Sequence, residues 1–331
     1  MSRADQHLVD GAPWRAPRGM RGMSLIELMI ALVLGMVVVA AAASIFLANK
    51  STYKATETLA RVQENSRLAF EMMARDIREA RGSACDSTMI PASMLNAPVS
   101  WWSDLPNGIR GYENGALAGS AAGTDSLQVV SATSGSYAIS KMATSADPIH
   151  LTTTTHDLAT GDILLLCDFK CATIFQATAT TANGSNTVNH AASPPPGTPP
   201  PGNSVNTLTC NASDLTSRAY DIDAVIGKVK ATRWYIANNA SGGTSLYRAQ
   251  VQKGVLQPGE EVVEGVTDMT LSYLVNGGTA YQAAASIDAA NAWTTVVSVR
   301  IVLTLQGNEK VNGAVVSRNL SHVVYMRNQS L

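Results

Sequence analysis

An α+β fold is expected, with one very long amino-terminal helix, membrane-spanning and then amphipathic, packed on a mainly antiparallel β-sheet head. Three features predict it. The 22 residues from Leu28 to Asn49 carry no charged side chain. At 1.5 Å per residue they make a helix of roughly 33 Å, about the thickness of a bilayer's hydrocarbon core. Apolar residues then recur at spacings of three and four as far as Ala80, after which the pattern turns to period two.

The residues ahead of the apolar run are polar and basic. Residues 1–22 hold Arg3, Arg15, Arg18 and Arg21 against Asp5 and Asp10, with Pro13 and Pro17. By the positive-inside bias this arm stays cytoplasmic. An ordinary secretory signal places its cleavage site after the apolar stretch, beside small residues. Ala40–Ala43 imitates such a site, but the stretch continues into the next helix. Glu27 sits at the entrance of the apolar run, where an unpaired charge costs a few kcal/mol. A lone membrane anchor does not account for it.

The second half of the helix is amphipathic. Leu59, Val62, Ala69, Phe70, Met73, Ile77 and Ala80 form the apolar stripe, with Ser66 its weak step. Arg61, Glu64, Arg67, Glu71, Arg75 and Arg78 occupy the other face, and Glu71 to Arg75 has the favourable i, i+4 spacing. No proline falls between Met23 and Ala80, and Gly82 is a natural stop. The expected organisation is a leader over 1–22, a helix over 23–82 that crosses the membrane at about 28–48, and a β-rich head over 83–331.

In the head, Val297, Val299, Ile301, Leu303 and Leu305 alternate with mostly polar neighbours and mark the clearest strand. Met269–Val275 is another, ended by Asn276-Gly277-Gly278. Further strands are expected at 127–131, 162–166, 172–177, 228–237, 246–251 and 320–327. Ser193–Gly202 has six prolines and two glycines, so 178–205 reads as a flexible, exposed insertion, with a domain linker as the competing reading.

At the amino terminus the sequence resembles a known family. Gly22-Met23-Ser24-Leu25-Ile26-Glu27, followed by an apolar helix, is similar to the class III signal of type IV prepilins and pseudopilins. The resemblance implies that a prepilin peptidase cuts between Gly22 and Met23 and N-methylates Met23. Met23 replaces the usual Phe, and the leader is longer than in many major pilins. In a filament, a carboxylate packed among apolar helices needs a cation. The expected partner of Glu27 is the Met23 amine of a neighbouring subunit, which would set the axial register.

The likeness then narrows. Thr52-Tyr53, Val62-Gln63-Glu64-Asn65-Ser66-Arg67, Ala74-Arg75-Asp76-Ile77-Arg78, Gly161-Asp162-Ile163-Leu164-Leu165, Val266-Thr267-Asp268-Met269 and Trp293–Ile301 resemble the PilW-type minor pilins. The resemblance implies a type IV pilin-like fold and a low-abundance structural subunit that primes pilus assembly near the tip. It also implies twitching motility and attachment, and an inner-membrane single-pass state with the head in the periplasm of a Gram-negative cell. Implied partners are the peptidase, other minor and major pilins and the inner-membrane assembly platform. A minor pseudopilin of a type II secretion system, or a tip adhesin, are the competing readings.

Cys85, Cys167, Cys171 and Cys210 allow three pairings. Residues 164–167 and 171–174 read as two arms of a hairpin. A Cys167–Cys171 bridge across it, leaving Cys85–Cys210, is the favoured arrangement; a bond from Cys85 to the hairpin, anchoring head to helix, is the alternative. No metal site, cofactor or catalytic constellation is expected. His7, His150, His156, His190 and His322 are scattered, and Cys167-x3-Cys171 lacks a second ligand pair. Asp221 and Asp223 read as an exposed turn rather than a calcium site. Trp101-Trp102 reads as buried bulk, with a surface for carbohydrate or a partner pilin as the alternative. Without the leader the net charge is near −3, which offers no basic footprint for nucleic acid.

Overall fold

The computed structural model describes residues 22–85, 89–96, 100–180, 186–192, 200–210, 216–311 and 313–328. Its helix α1 spans Leu25–Glu79 without interruption. The described residues fall into two units that divide between Lys54 and Ala55, inside this helix. The part of α1 from Ala55 onward belongs to the head unit, because its apolar stripe is part of that unit's core.

In the first unit, residues Leu25–Leu47 expose their apolar side chains all round. The segment is long and apolar enough to cross a membrane.

The second unit is β-rich. Its strands are β1 (Ala92–Ser93), β2 (Ile109–Tyr112), β3 (Ser126–Lys141), β4 (Ile149–Leu151), β5 (Ile163–Cys167), β6 (Ala172–Gln176), β7 (Ala179–Thr180) and β8 (Thr187–Asn189). The chain continues with β9 (Val225–Asn238), β10 (Thr244–Gln252), β11 (Val255–Leu256), β12 (Glu260–Glu264) and β13 (Val266–Val275). A short helix α2 (Ala284–Ala289) precedes β14 (Val296–Val311) and β15 (Ala314–Tyr325). Only β1 and β6 pair in parallel among the named strands; the remaining ladders are antiparallel, as the short turn-linked runs predicted.

Two sheets result. The larger runs β1-β6-β5-β9-β3-β4-β8-β7, with β2 also on β3, and β10 linking β9 to β11 and β12. The smaller is β13-β14-β15. The long strands β3 and β9 carry most of this architecture. Each is long enough to serve two neighbours in succession, β9 pairing β5 early and β10 late.

The helix lies on the core between these strands. Val62, Ala69, Met73 and Ile77 pack with Trp234, Ile236 and Leu246 of the larger sheet and Leu271, Tyr273, Val299 and Ile301 of the smaller. Close approach requires Gly307: a Cβ there would fall 2.1 Å from the Thr58 methyl. Ser66, the weak step in the stripe, is buried and returns its hydroxyl to the Gln63 carbonyl at 2.7 Å. Strand β5 is buried on both faces. Leu164 and Leu166 enter one core with Phe175 and Ile226, while Ile163 and Leu165 enter another with Trp102 and Leu105.

The described part of the expected insertion over 178–205 carries regular structure. Ala179–Thr180 pairs with Thr187–Asn189 as a small antiparallel ladder. Asn203 is buried and its amide mimics a strand partner, accepting from Gln176 N–H at 2.7 Å and donating to Gln176 O at 2.8 Å. Composition alone missed this polar anchor. Residues 181–185 and 193–199, including most of the proline run, lie outside the described residues.

Candidate assembly site at the amino terminus

Gly22, Met23 and Ser24 are exposed and precede the helix, so the Gly22–Met23 bond lies in accessible non-helical chain. Leader residues 1–21 lie outside the described residues. Ser24 and Glu27 form a reciprocal capping box. The Ser24 hydroxyl accepts from the Glu27 N–H at 3.2 Å, and Glu27 Oε2 accepts from the Ser24 N–H at 3.1 Å and from its hydroxyl at 3.3 Å. The acid also faces the positive end of the helix dipole. Oε1 takes no partner among the described residues. Glu27 thus stabilises its own helix start and still presents one oxygen outward.

Ser24 was overlooked as a functional residue, although Ser-x-x-Glu ahead of an apolar run is a readable helix start.

A second polar centre lies within the head unit. Asp76 is 3% exposed on the buried face of α1. Arg248 of β10 grips it with a fork, Nε to Oδ2 and Nη2 to Oδ1, each 3.0 Å. Trp234 Nε1–H donates to Oδ2 at 3.0 Å, and Lys230 Nζ donates to Oδ1 at 3.0 Å and to Glu79 Oε2 at 3.1 Å. The Arg248 guanidinium also lies 5.6 Å from the Trp234 ring centre. Two acids face two cations, and every lone pair of Asp76 is occupied. Burial pushes the Glu79 carboxyl up, but Lys230 and Arg75 outweigh it and hold the group below its ordinary value. The sequence reading missed this centre; an acid between Met73 and Ile77 of the apolar stripe was the available signal.

The cysteines pair as Cys85–Cys167 and Cys171–Cys210, with Cα separations of 6.1 and 4.9 Å. The favoured Cys167–Cys171 and Cys85–Cys210 arrangement is therefore corrected, and the alternative that ties Cys85 to the hairpin is the one observed. The hairpin itself is present, with Cys167 paired in register to Ala172. That register places Cys171 one residue off, so successive side chains point to opposite sheet faces. Cys167 joins the core that includes Cys85, and Cys171 joins the core that includes Cys210.

The remaining candidates separate cleanly. Asp221 and Asp223 are exposed, and Asp221 accepts from the Ile222 N–H in a turn. Among the described residues no cluster of His, Cys, Asp and Glu could hold a metal. Trp102 is buried, while Trp101 is half-exposed at the rim of a cleft.

Comparison with known families meets this geometry at both ends. Residues 17–43 match the prokaryotic N-terminal methylation motif, which spans Gly22, Met23, Ser24 and Glu27. Residues 233–323 match the Type IV Pilus-assembly protein W family. Over that segment the chain is similar to the PilW family. Its family segment covers β10, β13 and β14 in full and supplies Trp234 and Arg248, two of the groups that hold Asp76. The prepilin-type signal implies processing by a prepilin peptidase, and the PilW match implies association with pilus components. No curated protein and no solved structure gives a significant match to this chain.

Proposed function

We propose that this chain is a minor pilin: a low-abundance structural subunit, not an enzyme, that primes assembly of type IV pili and sits near the tip. Before assembly it spans the inner membrane of a Gram-negative cell once, with the head in the periplasm. Its role supports twitching motility and attachment. The observation that carries this reading is the Ser24–Glu27 box at the exposed start of an apolar helix, with Oε1 left outward.

Cleavage after Gly22 would turn the Met23 nitrogen into an ammonium. In an apolar bundle that charge and the Glu27 carboxylate each lack water, and pairing across subunits satisfies both. The pair also fixes register, since a helix slipped by one turn would leave both charges unmatched. The test is deletion of the gene, imaging of surface pili, and complementation with Glu27→Gln. Loss of pili on deletion and failure of the variant to restore them support the role. Full piliation without the gene overturns it.

A further inference from the structure

Trp101 and Trp102 are neighbours in sequence with different fates. The pair forms a 3-10 turn over Trp101–Ser103, closed by the Asp104 N–H on the Trp101 carbonyl at 3.2 Å. Trp102 fills a core with Leu105 and Ile163. Trp101 keeps one ring face against the Arg233 guanidinium, 5.3 Å from the ring centre, and forms a wall of an open cleft of about 430 Å³. Ser103, Asp104, Asn107, Arg110 and Gln128 supply its polar lining.

These groups are held ready but not used up. Asn107 Nδ2 donates to Asp104 Oδ2 at 2.7 Å, which leaves Oδ1 without a partner among the described residues. Gln128 is 3% exposed; its Oε1 accepts from the Tyr112 hydroxyl at 2.8 Å, and its amide nitrogen has no partner among the described residues. Gln128 lines the open cleft, so its spare donor is one that a ligand can take over from water. Arg110 reaches Asp288 through Nη2 alone, at 3.1 Å.

The loop is rigid for a local reason. Gly108 has φ +64°, and a Cβ there would lie 2.6 Å from the Arg81 Cβ, so the turn is wedged against the end of the helical region. Its carbonyl accepts from Val130 N–H at 2.7 Å, and Arg81 N–H donates to Val130 O at 2.8 Å. Pre-organised groups lose little entropy on binding.

We propose that this cleft is a saccharide-binding site, with a sugar ring laid on Trp101 and its hydroxyls held by Asp104, Asn107, Arg110 and Gln128. A pyranose presents an apolar C–H face that packs on an aromatic ring. Its neighbouring hydroxyls, each both donor and acceptor, match the two-atom edges of a carboxylate, an amide and a guanidinium. Charge favours a neutral ligand. Arg110 and Arg233 stand against Asp104 and Asp288, so the site lacks the excess of cations that a phosphate backbone needs. This inference does not depend on the assembly role.

The test uses the full chain in a detergent without a sugar headgroup, applied to an array of neutral and acidic oligosaccharides. The best-bound sugar is then titrated while tryptophan fluorescence is followed. Saturable binding is expected, weakened at least about tenfold by Trp101→Ala and retained by Trp101→Phe. Asp104→Ala and Asn107→Ala, which change groups at the rim, should each weaken it with no change in thermal unfolding. The proposal is overturned if no glycan binds. It is equally overturned if binding ignores all three alanine variants, or if only a single-stranded oligonucleotide or a peptide is captured.

Discussion

Arg248 and Asp76 meet in a two-bond fork, guanidinium edge to carboxylate edge, across 172 residues of sequence. The fork joins the amphipathic part of α1 to β10, and Lys230 and Trp234 of β9 complete it. Removing Asp76 would strip the Arg248 guanidinium and the Trp234 indole N–H of their carboxylate, while Lys230 keeps only Glu79. Asp76→Ala is therefore expected to destabilise the head by about 3–5 kcal/mol. Denaturant unfolding of the full chain in detergent measures this. Stability equal to the parent would show that the cluster is dispensable.

The Ser24–Glu27 box separates two roles that one acid performs. Glutamine keeps a capping box, because its carbonyl oxygen still accepts from the Ser24 N–H, but carries no charge. Glu27→Ala loses both functions. If the charge is what neighbouring subunits read, Gln and Ala variants will both be processed and both fail to enter pili. Recovery of incorporation by Gln alone would assign the residue to helix capping instead. Immunoblotting of sheared pili against membrane fractions reads the difference.

The disulfide map makes a direct prediction. Peptide mapping without reductant should yield one fragment joining Cys85 to Cys167 and another joining Cys171 to Cys210. Replacing either pair with serines should cost about 2–5 kcal/mol. On chain-entropy grounds the Cys85–Cys167 pair, which closes the longer loop, is the larger loss. A fragment joining Cys167 to Cys171 would contradict the register of the hairpin.

Acid should weaken the head through two groups of the same sign. His190 is buried against Phe175, and its Nε2 contacts the Asp147 carbonyl at 3.0 Å. Burial holds its imidazole below its ordinary value, despite the opposing pull of that carbonyl. Glu79 is likewise held low, by Lys230 and Arg75 acting against burial. In both cases the unfolded chain binds a proton more readily than the folded one, so stability rises with pH. The melting temperature should be flat above about pH 6.5, fall as His190 is forced to charge, and fall further below about pH 4.5 as Glu79 protonates. His190→Gln should remove the upper step and leave the lower one. A melting temperature that holds level from pH 7 to pH 5 would refute the assignment to His190.

Much of the fold was legible in the chain. The uncharged run from Leu28 to Asn49 and the three-four spacing beyond it marked a helix to Ala80, and α1 ends at Glu79. Period-two alternation found the cores of β3, β9, β10, β13, β14 and β15, although β3 extends to Lys141, well past the expected Ser131. The short strands β1, β2, β4, β7, β8, β11 and β12 escaped notice. Two to five residues carry too little pattern to stand apart from turns, and their pairing partners supply the order.

The amino-terminal signal, the helix it opens and the alternation of strands were set by the sequence itself, because each depends on groups within about four residues of one another: a cap, an apolar stripe, a side chain pointing up or down. Tertiary structure alone decided which cysteines meet, where the Asp76 charge finds its cations, and that Trp101 reaches a cleft while Trp102 is buried. Those outcomes join residues tens to hundreds of positions apart. The cysteine pairing follows from sheet register and from the face each side chain occupies, and a single-residue shift of the β5–β6 hairpin would reverse it.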